Sequence, residues 1–188
     1  IHLGGTILGT SNRDNPFRWK PMNAPPEAEF QDRSAEVAAL ARELGLEGLI
    51  VVGGDGSLSI AERLHREGVI RTVGVPKTID NDLNATDVTF GFDTACTVAT
   101  EAVDRLHSTA MSHHRVMVVE VMGRYAGWIA LYAGVAGGGD VILIPEIPYN
   151  MDVVNETVLR RSRLGKRFSI VVVAEGAKTA EGELVVDR

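Results

Sequence analysis

Cysteine is nearly missing from this chain, long apolar runs are missing altogether, and positive charge is in deficit. Cys96 is the single cysteine among 188 residues, so no internal disulfide can form. It falls in a helix-like run with no histidine beside it and reads as a buried structural thiol. No apolar run approaches the ~20 residues that a membrane span needs, and the N-terminus lacks the basic-then-apolar layout of a signal peptide. No membrane association is expected, and a cytoplasmic location is. Lys and Arg number 19 against 25 Asp and Glu, a formal charge of -6, which argues against a nucleic-acid surface because such surfaces carry a strong basic excess. An anionic ligand would have to be held locally, by a few cations, a metal ion or backbone N–H groups. No two of the five histidines have the i, i+4 spacing of a helical metal site.

Apolar residues make up 45% and charged residues 23% of the chain, the balance of a soluble protein able to pack a core. At this length one core is the default, so a single α/β unit over residues 1–188 is expected. Residues 1–29 hold Pro16, Pro21, Pro25 and Pro26 among many Gly and Asn and read mostly as loop. Ile1 is not a start methionine, and the chain reads as a fragment of something longer.

From Ser34 onward, Val37, Leu40, Ala41 and Leu44 recur at helical spacing, and Gly45 is placed to stop the run. Gly48–Gly53 is apolar without alternation, which suits a strand buried on both faces of a parallel sheet. A helix over about 57–67, a strand over 72–75, a polar loop over 76–87 and a helix over about 93–111 follow. Strand 116–121, helix 124–136, strand 140–144, helix 151–164 and strand 168–173 continue the alternation. The series predicts a doubly wound, Rossmann-like, mostly parallel sheet with helices on both faces. Ligands of such sheets bind beyond the carboxyl ends of the strands, which directs attention to the loops after Val52, Val75, Val121 and Val173.

Each of those loops carries chemistry. In Gly53-Gly54-Asp55-Gly56-Ser57 a glycine turn enters a helix. Backbone can then approach a phosphate, and the helix N-terminus favours an anion. Asp55 could meet a phosphate-bound Mg, or Asp55 or Ser57 could merely cap the helix. Pro76-Lys77-Thr78-Ile79-Asp80-Asn81-Asp82 packs a cation, a hydroxyl and two carboxylates together. These suit a base and a metal neighbour, and equally an Asx-rich turn. Arg124, expected in the first turn of the 124–136 helix, sits poorly with the helix dipole unless an anion is bound there, or else faces solvent. Glu175 ends the last strand, able to accept hydrogen bonds from sugar hydroxyls or from neighbouring groups.

Taken together, Gly53-Gly-Asp-Gly-Ser57, Pro76-Lys-Thr-Ile-Asp-Asn-Asp82, Phe90-Gly-Phe-Asp-Thr-Ala95, Glu120-Val-Met-Gly-Arg124 and Ala174-Glu-Gly176 resemble the 6-phosphofructokinase family in order and spacing, over nearly the whole chain. The glycine turn alone also resembles lipid and NAD kinases. The Thr78–Asp82 loop with Met122–Arg124 downstream is far more specific. The resemblance implies Mg-dependent phosphoryl transfer to the 1-hydroxyl of fructose 6-phosphate, with Asp80 as general base and Asp55 holding Mg. Asp82 would be a second acidic group near the metal and phosphates. Thr78 and Arg124 would contact the transferred phosphoryl group, and Met122, Gly123 and Glu175 would line the sugar site. Gly54, Gly56, Ser57, Lys77 and Arg13 would meet the donor phosphates; Asn12 stands at the ungapped family position for that arginine. Arg115 is similar to an arginine that reaches the sugar phosphate of a neighbouring subunit, implying a homo-oligomer.

Gly56 favours ATP as donor, because pyrophosphate-using relatives tend to carry Asp there; Lys77 is typical of pyrophosphate users, although some ATP-dependent members also have it, and ATP is the expected donor with pyrophosphate the alternative. The family's earlier phosphate loop and second lobe have no counterpart in these residues, so the 188 residues alone are expected to be inactive. A regulatory half that binds without reacting is the rival reading, against which Asp80 argues. A different sugar or nucleoside acceptor is another.

Overall fold

Ser169–Ala174 is a run of small and β-branched residues with no charge, and β-branching favours extended backbone. It forms a strand, β6, in which every residue is buried. The computed structural model describes residues 5, 7, 9–11 and 14–182, so Asn12 and Arg13 lie outside the described residues. The elements, in chain order, are α1 (Ser34–Glu43), β1 (Gly48–Gly53), α2 (Asp55–Arg66), β2 (Arg71–Thr78), β3 (Phe90–Gly91), α3 (Phe92–His113), β4 (Val116–Val121), α4 (Trp128–Ala136), β5 (Val141–Leu143), α5 (Met151–Arg163) and β6. Among the described residues no helix is long and apolar enough to cross a membrane.

The chain divides into two units, residues 1–75 and 76–188. In the first, Ala41 of α1, Leu64 of α2 and Ile70 form a small core, with Phe17, Leu49 and Ile60 packed against it. β1 neighbours β2. β1 is not buried on both faces, contrary to expectation. Its burial alternates, and Ile50 and Val52 are 75% and 58% exposed, because Leu49 turns toward the helices and its neighbours turn away.

In the second unit β6 lies between β4 and β5, both parallel to it. Alternation decides which side chains meet which helices. Ile170, Val172 and Ala174 pack with Val103 of α3 and Ala130 of α4, while Val173 meets Tyr149, Ala177 and Val154 of α5. Helices therefore cover both faces of this sheet. Each fully buried Ile or Val contributes roughly 1.5–3 kcal/mol, which makes β6 the backbone of the core. Cys96 of α3 is buried, as expected of a structural thiol, and burial pushes its thiol pKa up.

The parallel α/β character holds, but the strands fall into two three-stranded groups, β1-β2-β3 and β4-β6-β5. β2 also runs further than 72–75, through Thr78, because Lys77 and Thr78 pair with Phe90 and Gly91 of the unanticipated β3. In the other direction, α4 begins at Trp128 and not at 124. The Glu146 carboxylate accepts the N–H of Gly127 at 2.8 Å, and Gly127 holds the N-cap position. Arg124 is thus a loop residue, and the dipole argument for an anion beside it does not apply.

Candidate active site

The first unit has a notch at the mouth of α2. β1 ends at Gly53, Gly54 is the N-cap with extended backbone, and Asp55 opens the helix. A side chain on Gly53 would lie 2.5 Å from Ser57 Cβ, so only glycine lets the helix start fold back this closely over the strand end. Gly56 faces open space, with nothing within 4 Å of where a Cβ would stand. The notch, about 380 Å³, is lined by Gly54, Asp55, Gly56 and Ser57 together with Ser11, Asp14 and Asn15. Those last three were not anticipated as site residues. Ser11 Oγ accepts the Asp14 N–H, and Asn15 Oδ1 accepts the Phe17 N–H. Phe17 anchors this segment, because it packs in the core of this unit with the Arg63 guanidinium 3.8 Å from its ring centroid.

Among the described residues no group of three or more His, Cys, Asp or Glu could hold a metal ion. The notch does offer two carboxylates, Asp14 and Asp55. That hard-oxygen set fits Mg, which takes one or two carboxylates and completes its shell with phosphate oxygens and water.

The second unit gathers the remaining loops. β4 and β6 stay in register to their ends, Val121 opposite Ala174. The ladder continues past them, because Glu175 N–H donates to the Val121 carbonyl (2.9 Å) and Gly176 N–H to that of Gly123 (3.2 Å). A Cβ at Gly176 would collide with the Arg124 carbonyl oxygen, so glycine is what allows the two loops to clasp. The register therefore places Met122, Gly123 and the Arg124 backbone beside Glu175. Met122 and the Arg124 side chain are exposed, with the guanidinium 5.5 Å from the Tyr125 ring centroid.

The loop after β2 adds Asp80. Its N–H donates to Thr78 Oγ1 (3.2 Å), while its own Oδ1 is buried and lacks a hydrogen-bond partner. Burial first, then the nearby carboxylates of Asp82 and Glu175, push the Asp80 pKa above its ordinary value. A buried, unpartnered carboxylate oxygen is costly and is better suited than a solvated one to accepting a proton. Lys77, near the end of β2, and Asp82, on this loop, are both exposed. Arg115 stands apart from these groups. It precedes β4, at the end of the sheet away from Arg124, and six strand residues separate them by about 20 Å.

Comparison with known proteins gives a consistent result. The family model described as phosphofructokinase matches residues 1–187. An ATP-dependent 6-phosphofructokinase 2 of Clostridium perfringens is 54% identical over 188 residues, all of this chain and 51% of that protein. Among solved structures, phosphofructokinase from Saccharomyces cerevisiae aligns with a TM-score of 0.68 and 37% identity over 79% of this chain and 23% of that one. A pyrophosphate-dependent phosphofructokinase from Nitrosospira multiformis aligns with a TM-score of 0.74 and 28% identity over 80% of this chain and 42% of that one. The chain spans about half the length of the curated relatives it matches.

Proposed function

Because the chain belongs to the phosphofructokinase family, we propose that its site transfers a phosphoryl group from ATP to the 1-hydroxyl of fructose 6-phosphate, giving fructose 1,6-bisphosphate. The observation that carries this reading is the buried, unpartnered Oδ1 of Asp80, raised in pKa between Asp82 and Glu175. A carboxylate does not deprotonate a free alcohol, given a reference pKa near ~3.9. It need only accept the proton as the O–P bond forms through a loose transition state.

On this reading Thr78 donates its hydroxyl proton to an oxygen of the moving phosphoryl group, and Arg124 turns its guanidinium in from the exposed position to neutralise the developing charge. Met122, Gly123 and Glu175 hold the sugar. Gly54, Gly56 and Ser57 present backbone N–H groups and the positive end of α2 to the donor phosphates, with Lys77 and Arg13 as further phosphate contacts. Asp55 would hold Mg, which when bound offsets the negative charge of the donor phosphates. Asp82 is the second acid beside the phosphates. Arg115, at the far end of its sheet, serves the sugar phosphate of a neighbouring subunit in a homo-oligomer.

Two features support ATP: the open space at Gly56 and the naming of the curated relative as ATP-dependent. Exposed Lys77 and the likeness to a pyrophosphate-dependent structure favour pyrophosphate as a second reading. A coupled assay of the full-length protein with fructose 6-phosphate and each donor tests both. The expected outcome is turnover with ATP; absence of product with either donor would sink the assignment.

A further inference from the structure

Thr89 is 2% exposed and is one of two buried polar residues among those described. A threonine sealed from water must find partners for its hydroxyl and its backbone groups. It finds them across the loop that carries Asp80. Its Oγ1 donates to the Thr78 carbonyl at 2.8 Å, and its backbone N–H donates to Asn81 Oδ1 at 2.9 Å. The hydroxyl has one proton to give, so the 3.3 Å contact from Oγ1 to Asn81 Oδ1 is the weaker of its two. Its carbonyl accepts the Phe92 N–H at 3.3 Å, tying it to the start of α3.

These bonds grip both sides of Asp80. Thr78 lies two residues before it and Asn81 one residue after. Asn81 has φ 53°, in the left-handed region that Asn tolerates better than most residues but does not prefer, so its conformation needs an external hold. The Asp80 N–H is bonded to Thr78 Oγ1, while its buried Oδ1 has no hydrogen-bond partner to fix it. Orientation of that carboxylate is therefore inherited from its neighbours, and both neighbours are fixed by one residue.

We infer that Thr89 is a positioning residue for this site: by joining the Thr78 carbonyl to the Asn81 side chain across the neck of the 78–89 loop, it fixes where the Asp80 carboxylate and the Thr78 hydroxyl stand. The inference rests on the phosphoryl-transfer reading for what those groups do, and on the hydrogen bonds alone for how they are held. Thr89 touches no reacting atom.

Substitutions that separate hydrogen bonding from packing test this in the full-length protein. Thr89→Val keeps the shape and loses the hydroxyl; Thr89→Ser keeps the hydroxyl and loses a methyl group. Thr89→Val is expected to lower kcat between about tenfold and about a hundredfold, the penalty of small misplacements, with the KM for fructose 6-phosphate changed far less. Thr89→Ser is expected to retain most of the wild-type kcat. Hydrogen exchange read by mass spectrometry should show residues 78–82 exchanging faster in Thr89→Val and at the wild-type rate in Thr89→Ser. If Thr89→Val fails to fold, Asn81→Gly, which removes the acceptor without straining the backbone, should give the same loss of kcat. Equal losses in the Ser and Val variants would mean that packing alone matters, and unchanged kcat in Val or Gly would also overturn the inference. Should wild type phosphorylate nothing, the functional reading fails by itself, and the exchange rates still decide whether Thr89 holds the loop.

Discussion

At the scale of single residues, Asp80 is where folding and chemistry conflict. Its folded-state pKa lies above the ordinary carboxylate value, through burial first and then through Asp82 and Glu175. The native state therefore binds this proton more tightly than the unfolded chain does, so the stabilisation linked to it is complete below the unfolded pKa and is lost as pH rises through the folded one. If Asp80 is the general base proposed above, replacing it by Asn is expected to lower kcat by about 10²- to 10⁴-fold, the usual contribution of such a group. Thermal stability at neutral pH should stay level or rise, and the gap between the two proteins should close on acidification. Melting curves of both at neutral and acid pH check this, and a less stable Asn variant at neutral pH would contradict the sign. In the active enzyme the acid limb of kcat/KM is expected above the ordinary carboxylate range, for the same reason. The presence of Asp80 was legible in the loop's composition. Its burial was not, because nothing local distinguishes an orphaned carboxylate from one in a solvated Asx turn.

Elements are held in register by polar groups far apart in the chain. Asp140 precedes β5, and its Oδ2 accepts the Ile170 N–H at 2.9 Å while its Oδ1 pairs with Arg161 of α5 at 2.6 Å. Arg161 Nε also donates to Ser169 Oγ at 3.2 Å, so one side chain ties α5 to the starts of two strands. With side chains only 25% and 14% exposed, the pair is sheltered enough to matter. Arg161→Ala is expected to cost about 1–3 kcal/mol, as for other charged hydrogen bonds. Arg161→Lys should recover only part of it, since one ammonium lacks the fork that serves both partners; urea denaturation measures both. At the opposite strand ends, Gly176→Ala should destabilise severely, because the added methyl meets the Arg124 carbonyl. Gly56→Ala enters open space in a helix and should be neutral or stabilising by about 0.5–1 kcal/mol. Comparable midpoints for the two alanine variants would refute the clasp. Helix α4 shows the limit of periodicity: its N-cap Gly127 donates to Glu146, nineteen residues further on, and the helix begins at Trp128, a contact that no local pattern records.

For the molecule as a whole, the family is known while the donor is a matter for experiment. Gly56→Asp in the full-length protein would put a carboxylate into the open side of the α2 notch. It is expected to abolish ATP use and to spare or improve pyrophosphate use, read from initial rates with each donor. ATP turnover untouched by the added charge would remove the steric argument. The 188 residues, which span half of their curated relatives, are expected to show little or no turnover when assayed alone against the full-length protein. Robust activity of the short chain would show that the site is complete within it.

By itself the amino-acid order determined the succession of helices and strands, the polar character of the strand-end loops and, through their motifs, the family. These depend on neighbours within a few residues, where spacing and side-chain type act directly on the backbone. Only the tertiary structure decided that β6 and not β1 is buried on both faces, that Ser11, Asp14 and Asn15 join the α2 notch, that Arg124 lies outside its helix, and that Thr89 grips the loop around Asp80. Each of these is set by contacts between residues distant in the chain, and burial is a property of everything packed around a group, which its own stretch of sequence does not encode.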